Sequence, residues 1–166
     1  MNIICNPNLG LTVNETTISW KMNRREVRDL LKSAYEEDDS SFDVSDLFDG
    51  HDDDFDFTQN RDIYSDLANE GDLVFFNYDK NGALTDFEIH QNIAVLIDDF
   101  KFCDDQSIHE ILDWFRLKQF TVTEVEPGNF AVAELKIAVA THESMGGDGD
   151  GLSYFYASDD ISHLID

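Results

Sequence analysis

The spacing of apolar positions divides the chain into strand-like and helix-like runs. Short β-rich runs at 9–13 and 16–20 flank Asn14-Glu15 and predict an N-terminal hairpin. A helix is expected from Asn23 to about Tyr35. Asn23 followed by Glu26 is a capping-box pair, in which Asn accepts from an orphan helix amide and Glu reaches back to the cap. Val27, Leu30, Leu31 and Ala34 recur at helical spacing and predict one apolar stripe. Further on, strands at 73–78 and 83–90 are separated by Asp79-Lys80-Asn81-Gly82, where Asn-Gly supplies the positive φ angles of a tight hairpin. Alternation puts Phe87 and Ile89 on one face, with Asp86, Glu88 and His90 on the other. A third strand at 93–97 is expected to continue this meander.

Ser107 with Glu110 reads as a second capping box, opening a helix to about Gln119 with Ile108, Ile111, Leu112 and Phe115 along its apolar face. Runs at 120–125 and 130–141 predict another hairpin around Pro127-Gly128. A last strand is expected at 152–157, then a short helix or frayed tail at 159–166. Strands, helix, then strands again imply an α+β fold. The expectation is one domain over 1–166, mainly antiparallel sheet, with two main helices packed on it and an acidic loop insertion at about 36–60.

Charge changes this picture more than composition does. Thirty-six Asp and Glu against eleven Lys and Arg give a net charge of −25. Such a chain repels phosphate, which argues against direct binding of nucleic acid or of an anionic membrane and for a basic protein partner. Five of the eleven basic residues (Lys21, Arg24, Arg25, Arg28 and Lys32) fall in one stretch, and eleven acids follow between Glu36 and Asp56 with no base among them. In that run Phe42, Val44, Leu47, Phe48, Phe55 and Phe57 interleave with the acids, as in segments that order on binding. The plainer reading is a solubilising loop, partly neutralised by folding back on Arg24, Arg25 and Arg28. Duplex mimicry fits poorly. Fully extended, the run carries one charge per ~6 Å against ~1.7 Å for DNA. The first ten residues lack a signal-peptide pattern, no apolar run is long enough to span a bilayer, and two distant cysteines suit a reducing cytoplasm, the expected location.

Catalytic patterns fail one by one. No two of the five histidines are spaced as metal ligands, and position 113, where a zinc-protease motif starting at His109-Glu110 needs its second His, is Asp. Asp52-x-Asp54-x-Asp56 starts like a calcium loop, but Phe57 replaces the turn glycine and Ile63 the closing Glu. The segment 148–151 likewise puts Ser153 where glycine is needed. Gly151-Leu152-Ser153-Tyr154-Phe155 lacks the second glycine of a nucleophile elbow, and no Lys-Ser or Lys-Thr follows Gly146-Gly147-Asp148-Gly149 as a phosphate loop requires. No catalytic, cofactor or metal residue is assigned, and the expectation is a protein that is not an enzyme.

Asn8-Leu9-Gly10-Leu11-Thr12-Val13 before a helix carrying Glu26-Val27-Arg28, then Asp62-Ile63-Tyr64, the run from Asp72 to Gly82 leading into Asp86-Phe87-Glu88-Ile89, and a capped helix centred on Ile111-Leu112 form a familiar order. Over about 9–120 it resembles small acidic bacterial immunity proteins of toxin–immunity systems, including contact-dependent growth inhibition. The resemblance implies a cytosolic protein that neutralises a toxin domain, often a nuclease, by binding it. That class has no shared binding residues, so none is carried over. The expected contact residues come from the acidic run itself: Asp52, Asp53, Asp54 and Asp56 as carboxylates, with Phe55 and Phe57 as apolar anchors. The competing expectation is a non-catalytic regulatory or adaptor module whose acidic–hydrophobic loop docks on a basic protein. On these ligand patterns, micromolar calcium or zinc is expected to leave the melting temperature unchanged beyond the effect of ionic strength. A saturable stabilisation with defined stoichiometry would overturn that.

Overall fold

A computed structural model describes residues 3–43 and 56–165, with side chains defined except at 41–43 and 56–58. The strands are β1 (Ile3–Asn6), β2 (Gly10–Val13), β3 (Thr16–Ser19), β4 (Glu36–Asp43), β5 (Asp56–Ser65), β6 (Leu73–Tyr78), β7 (Leu84–Gln91), β8 (Ala94–Ile97), β9 (Phe100–Cys103), β10 (Val122–Glu126), β11 (Asn129–Val132), β12 (Ile137–Thr141) and β13 (Leu152–Ser158). The helices are α1 (Arg24–Leu31), α2 (Ile108–Leu117) and the single-turn α3 (Ser162–Ile165). They form an α+β domain of predominantly antiparallel sheet, with α1 and α2 packed on it.

The strands make two sheets. One has five strands in the order β3-β2-β1-β8-β9, and the other has eight in the order β10-β11-β12-β13-β7-β6-β5-β4. All pairings are antiparallel except β1 with β8, where Ile3 stands opposite Val95. The inner faces share one core with α2. Phe102 of β9 meets Phe155 of β13 at 5.3 Å between ring centroids and Phe115 of α2 at 6.1 Å, and Trp20 stacks on Phe87 at 6.1 Å. Alternation dictates this: Val74, Phe76, Phe87, Ile89 and Phe155 are buried, while their sequence neighbours face the other way. Inside, Asp72 closes the loop between β5 and β6 by accepting amides from Leu67, Ala68 and Asn69 at 2.7–2.8 Å.

Several expectations need correction. The strand at 93–97 does not extend the meander. Both edges of β7 are taken, one by β6 and the other by β13, so β8 has no edge to join there. Asn92 at φ 49° turns the chain out, and β8 pairs with β1 in the other sheet. In the hairpin between β6 and β7 only Gly82 is left-handed (φ 77°). Asp79 organises the turn instead, its Oδ1 accepting amides from Asn81 at 2.8 Å and Ala83 at 3.0 Å. The capping box at Asn23 and Glu26 forms as expected, but Ser107 makes no side-chain cap. Its backbone bridges Gly151 instead, where a Cβ would come within 3.1 Å of the Asp105 Cα, so this glycine serves close approach. The run 130–141 is broken at Ala133–Leu135 by a 3-10 turn ending on Lys136 at φ 52°. Helix α1 stops at Leu31, with Lys32 as a left-handed cap, and of the expected stripe only Val27 is fully buried; Leu30 is exposed.

Phe87 and Ile111 are fully buried at the junction of sheet and helix. Phe87→Asp or Ile111→Asp should each cost several kcal/mol by burying an unpaired charge. A urea melt with an unchanged midpoint in either variant contradicts the placement of that side chain.

Candidate functional site

The first part of the acidic run, Glu36–Asp43, is a strand where a loop was expected, and 44–55 lie outside the described residues. β4 pairs with β5 in unbroken register from Glu36 opposite Ile63 to Asp43 opposite Asp56. Like charges side by side disfavour a strand, so cations must accompany them. Alternation sends Glu37 and Asp39 inward and Asp38 outward. Inward they meet α1: both Arg24 guanidinium nitrogens NH1 and NH2 donate to the Asp39 carboxylate at 2.9 and 2.8 Å, and Arg28 donates to Glu37 Oε2 at 2.7 Å. Outward, Arg61 of β5 donates to Asp38 Oδ2 at 2.7 Å, and Gln59 donates to the same oxygen at 3.1 Å.

Asp62 lies at the centre. It points inward from β5 and is completely buried. Arg28 donates to both its oxygens, at 2.8 Å through Nε and 2.6 Å through NH2, while Arg24 donates to Oδ1 at 3.0 and 2.7 Å. Arg24 also donates to the Arg61 carbonyl at 2.8 Å and lies over the Tyr78 ring; Arg28 lies over the Tyr35 ring. Burial pushes the Asp62 carboxyl up, but the hydrogen bonds from Arg28 and Arg24 outweigh it and hold the group below the ordinary carboxylate range. Helix α1 is thus fastened to the sheet by its arginines more than by its apolar stripe. Folding back of the acids onto Arg24 and Arg28 is found, whereas Arg25 stays exposed beside Asp29 at 3.9 Å.

The opposite face of the large sheet carries a second polar group of residues. Asn77 of β6 donates to Asp86 Oδ1 at 2.5 Å and Glu88 Oε1 at 2.7 Å, and Glu88 Oε2 lies 2.9 Å from His90 Nε2. Burial holds the Asp86 carboxyl above its ordinary range, only partly offset by Asn77 and Thr85. Burial also opposes ionisation of Glu88, but hydrogen bonds from His90 and Asn77 prevail and lower it. Phe75, His90 and Tyr154 form a row over these groups, with centroids 4.5 Å apart from Phe75 to His90 and 5.0 Å from His90 to Tyr154.

Of the expected contact residues, Asp52, Asp53, Asp54 and Phe55 lie outside the described residues. Asp56 and Phe57 open β5, opposite Asp43 and Phe42, with only their backbone described. The basic stretch holding Arg24 and Arg28 was legible in the sequence, but their partner Asp62 was not, because a carboxylate on the apolar side of a strand inverts the usual pattern. Among the described residues no cluster of three or more His, Cys, Asp or Glu side chains is arranged to hold a metal ion. Neither Cys5 nor Cys103 is in a disulfide, and burial pushes the Cys5 thiol up to about 12. Among the described residues, no helix is long and apolar enough to cross a membrane. No family model matches the chain, and neither a curated protein nor a solved structure matches it.

Removing one partner of a buried ion cluster strands the others. Asp62→Leu should therefore cost about 3–5 kcal/mol, and Asp62→Leu combined with Arg24→Met and Arg28→Met should cost less than the single change. Additive losses in denaturant melts would contradict the cluster. The folded Asp62 value lies below the unfolded one, so its stabilisation is complete above about pH 4 and lost as pH falls through the folded value. Asp86 has the opposite sign: its cost is present at neutral pH and is relieved as pH falls through its raised value. The melting temperature should rise from pH 7 to about pH 5, as net charge also falls, then drop steeply below about pH 4. A melting temperature still rising at pH 3 would remove Asp62 from its central role.

Proposed function

We propose that this protein is a non-catalytic inhibitor of the immunity type, which binds a basic toxin domain and occludes its active or substrate-binding surface. The observation that carries the reading is where the cations go. Arg24, Arg28 and Arg61 are paired with carboxylates of the chain itself, so a chain of net charge −25 commits these three cations to its own fold. The acid-bearing strand β4 has β5 as its only strand neighbour among the described residues, at the end of the eight-stranded sheet.

A nuclease surface is built to receive phosphate. A negative protein approaches such a surface by electrostatic steering and needs no chemistry of its own to block it. In this proposal Asp52, Asp53, Asp54 and Asp56 provide steering charge and Phe55 and Phe57 provide apolar anchors, all six on the strength of the sequence. Charges at a rim chiefly set the association rate, while buried aromatics chiefly set the lifetime.

The test starts from the basic protein that this chain retains from its host. Expressed alone, that protein should arrest growth; co-expression with this chain should restore it. Changing the four aspartates to asparagine should slow association and flatten its salt dependence, and Phe55→Ala should speed dissociation. A chain with 44–55 replaced by a short turn that still binds at unchanged rates excludes the segment as the interface. A retained protein that is harmless on its own removes the inhibitor reading.

A further inference from the structure

The outward face of β5, β6, β7 and β13 offers a second, preformed contact surface. Phe75, His90 and Tyr154 come from three strands adjacent in the large sheet, so sheet geometry, not loop conformation, fixes their spacing. Hydrogen bonds lock their polar neighbours: Glu88 accepts from Asn77 and lies against His90 and the Tyr154 hydroxyl. Among the described residues α1, α2 and the small sheet all lie against the other face. On this face α3 and its flanks pack at the β10–β13 end, against Ala131, Ala138 and Tyr156. Rigid aromatic side chains that lose little entropy on contact are the usual centres of protein interfaces.

The chain also shows what such a surface accepts. Arg61 lies with its guanidinium 4.9 Å from the Phe75 ring centroid while donating to Asp38 at 2.7 Å, a ring on one side and a carboxylate on the other. Glu88 beside Tyr154 and His90 repeats that pairing one step along the row. We infer that this face takes arginine side chains of the basic partner over His90 and Tyr154 beside Glu88, next to the place that Arg61 already fills on Phe75. The inference rests on the proposed binding of a basic protein and locates it. Arginine is preferred to lysine here, because a planar guanidinium stacks on a ring and hydrogen-bonds a carboxylate at once, whereas an ammonium does not.

The test is an amide chemical-shift titration of the isotope-labelled protein with deca-arginine and with deca-lysine at physiological salt. Perturbations are expected at Phe75, Asn77, Glu88, His90 and Tyr154, with deca-arginine binding roughly five-fold tighter than deca-lysine. Tyr154→Ala should abolish that preference while leaving the weaker lysine binding in place. Shifts confined to 36–43 and 56–65, or equal affinities for the two peptides, overturn the outer-face site and leave the proposed function standing. Absence of saturable binding to either peptide overturns both. The footprint on the unmodified protein decides the matter even if a variant fails to fold.

Discussion

The structure depends on one completely buried carboxylate. Asp62 sits where the alternation of β5 calls for an apolar side chain, and it is tolerable there only because two arginines one helical turn apart arrive from α1. Those arginines reach onward to Glu37 and Asp39, so the same contact that fixes the helix also lets an acidic strand lie at the end of the sheet. Helix position, strand pairing and charge distribution are therefore one problem with one solution. An apolar residue at 62 would leave α1 with Val27 as its single fully buried side chain and its two arginines without their buried acceptor. Buried ion clusters contribute little net stability against a hydrophobic alternative. Here the cluster instead selects one register, because sliding β4 by a residue would turn Glu37 and Asp39 away from the helix.

The period-two alternation of β7 was plain in the sequence, and so were the Asn23 cap and the apolar face of α2, because each depends on neighbours within a few residues. Trp114 was missed on α2: it packs against Phe100 and Phe102 of a strand that had not been recognised, since Phe100–Cys103 is too short to show a pattern. The partner of β8 was hidden for another reason. Sheet membership is set by which edges remain free after other strands have paired, and β13, which fills the edge of β7, lies far along the chain. The acidic stretch misled in the most instructive way. Its composition reads as a solvated loop, yet Glu36–Asp43 is a strand, because arginines from both sides relieve the repulsion that composition alone implies. As for the candidate surfaces, the acids were visible from charge, while the row of Phe75, His90 and Tyr154 needs the cross-strand register before it exists at all.

A chain this acidic is held folded against its own charge. The arginines neutralise the interior end of the field and leave the remainder outside, which keeps copies of the molecule apart and favours encounters with cations. The same arrangement protects the end strand. β4 has only one strand neighbour among the described residues, and a row of carboxylates is an established defence against a second copy adding there.

The parallel pairing of β1 with β8 has a consequence in time. Ile3 must wait for Val95 before the five-stranded sheet can be completed, whereas β4, β5 and β6 each pair with the next strand in the sequence. Closing the longer loop carries the larger entropic cost and favours late formation. A chain emerging from the ribosome thus has its acidic hairpin and the strands beside it assembled while β1, already made, still lacks β8. The amino-terminal strands can be joined by β8 only after β4 to β7 have emerged, and β10 to β13 complete the larger sheet later still.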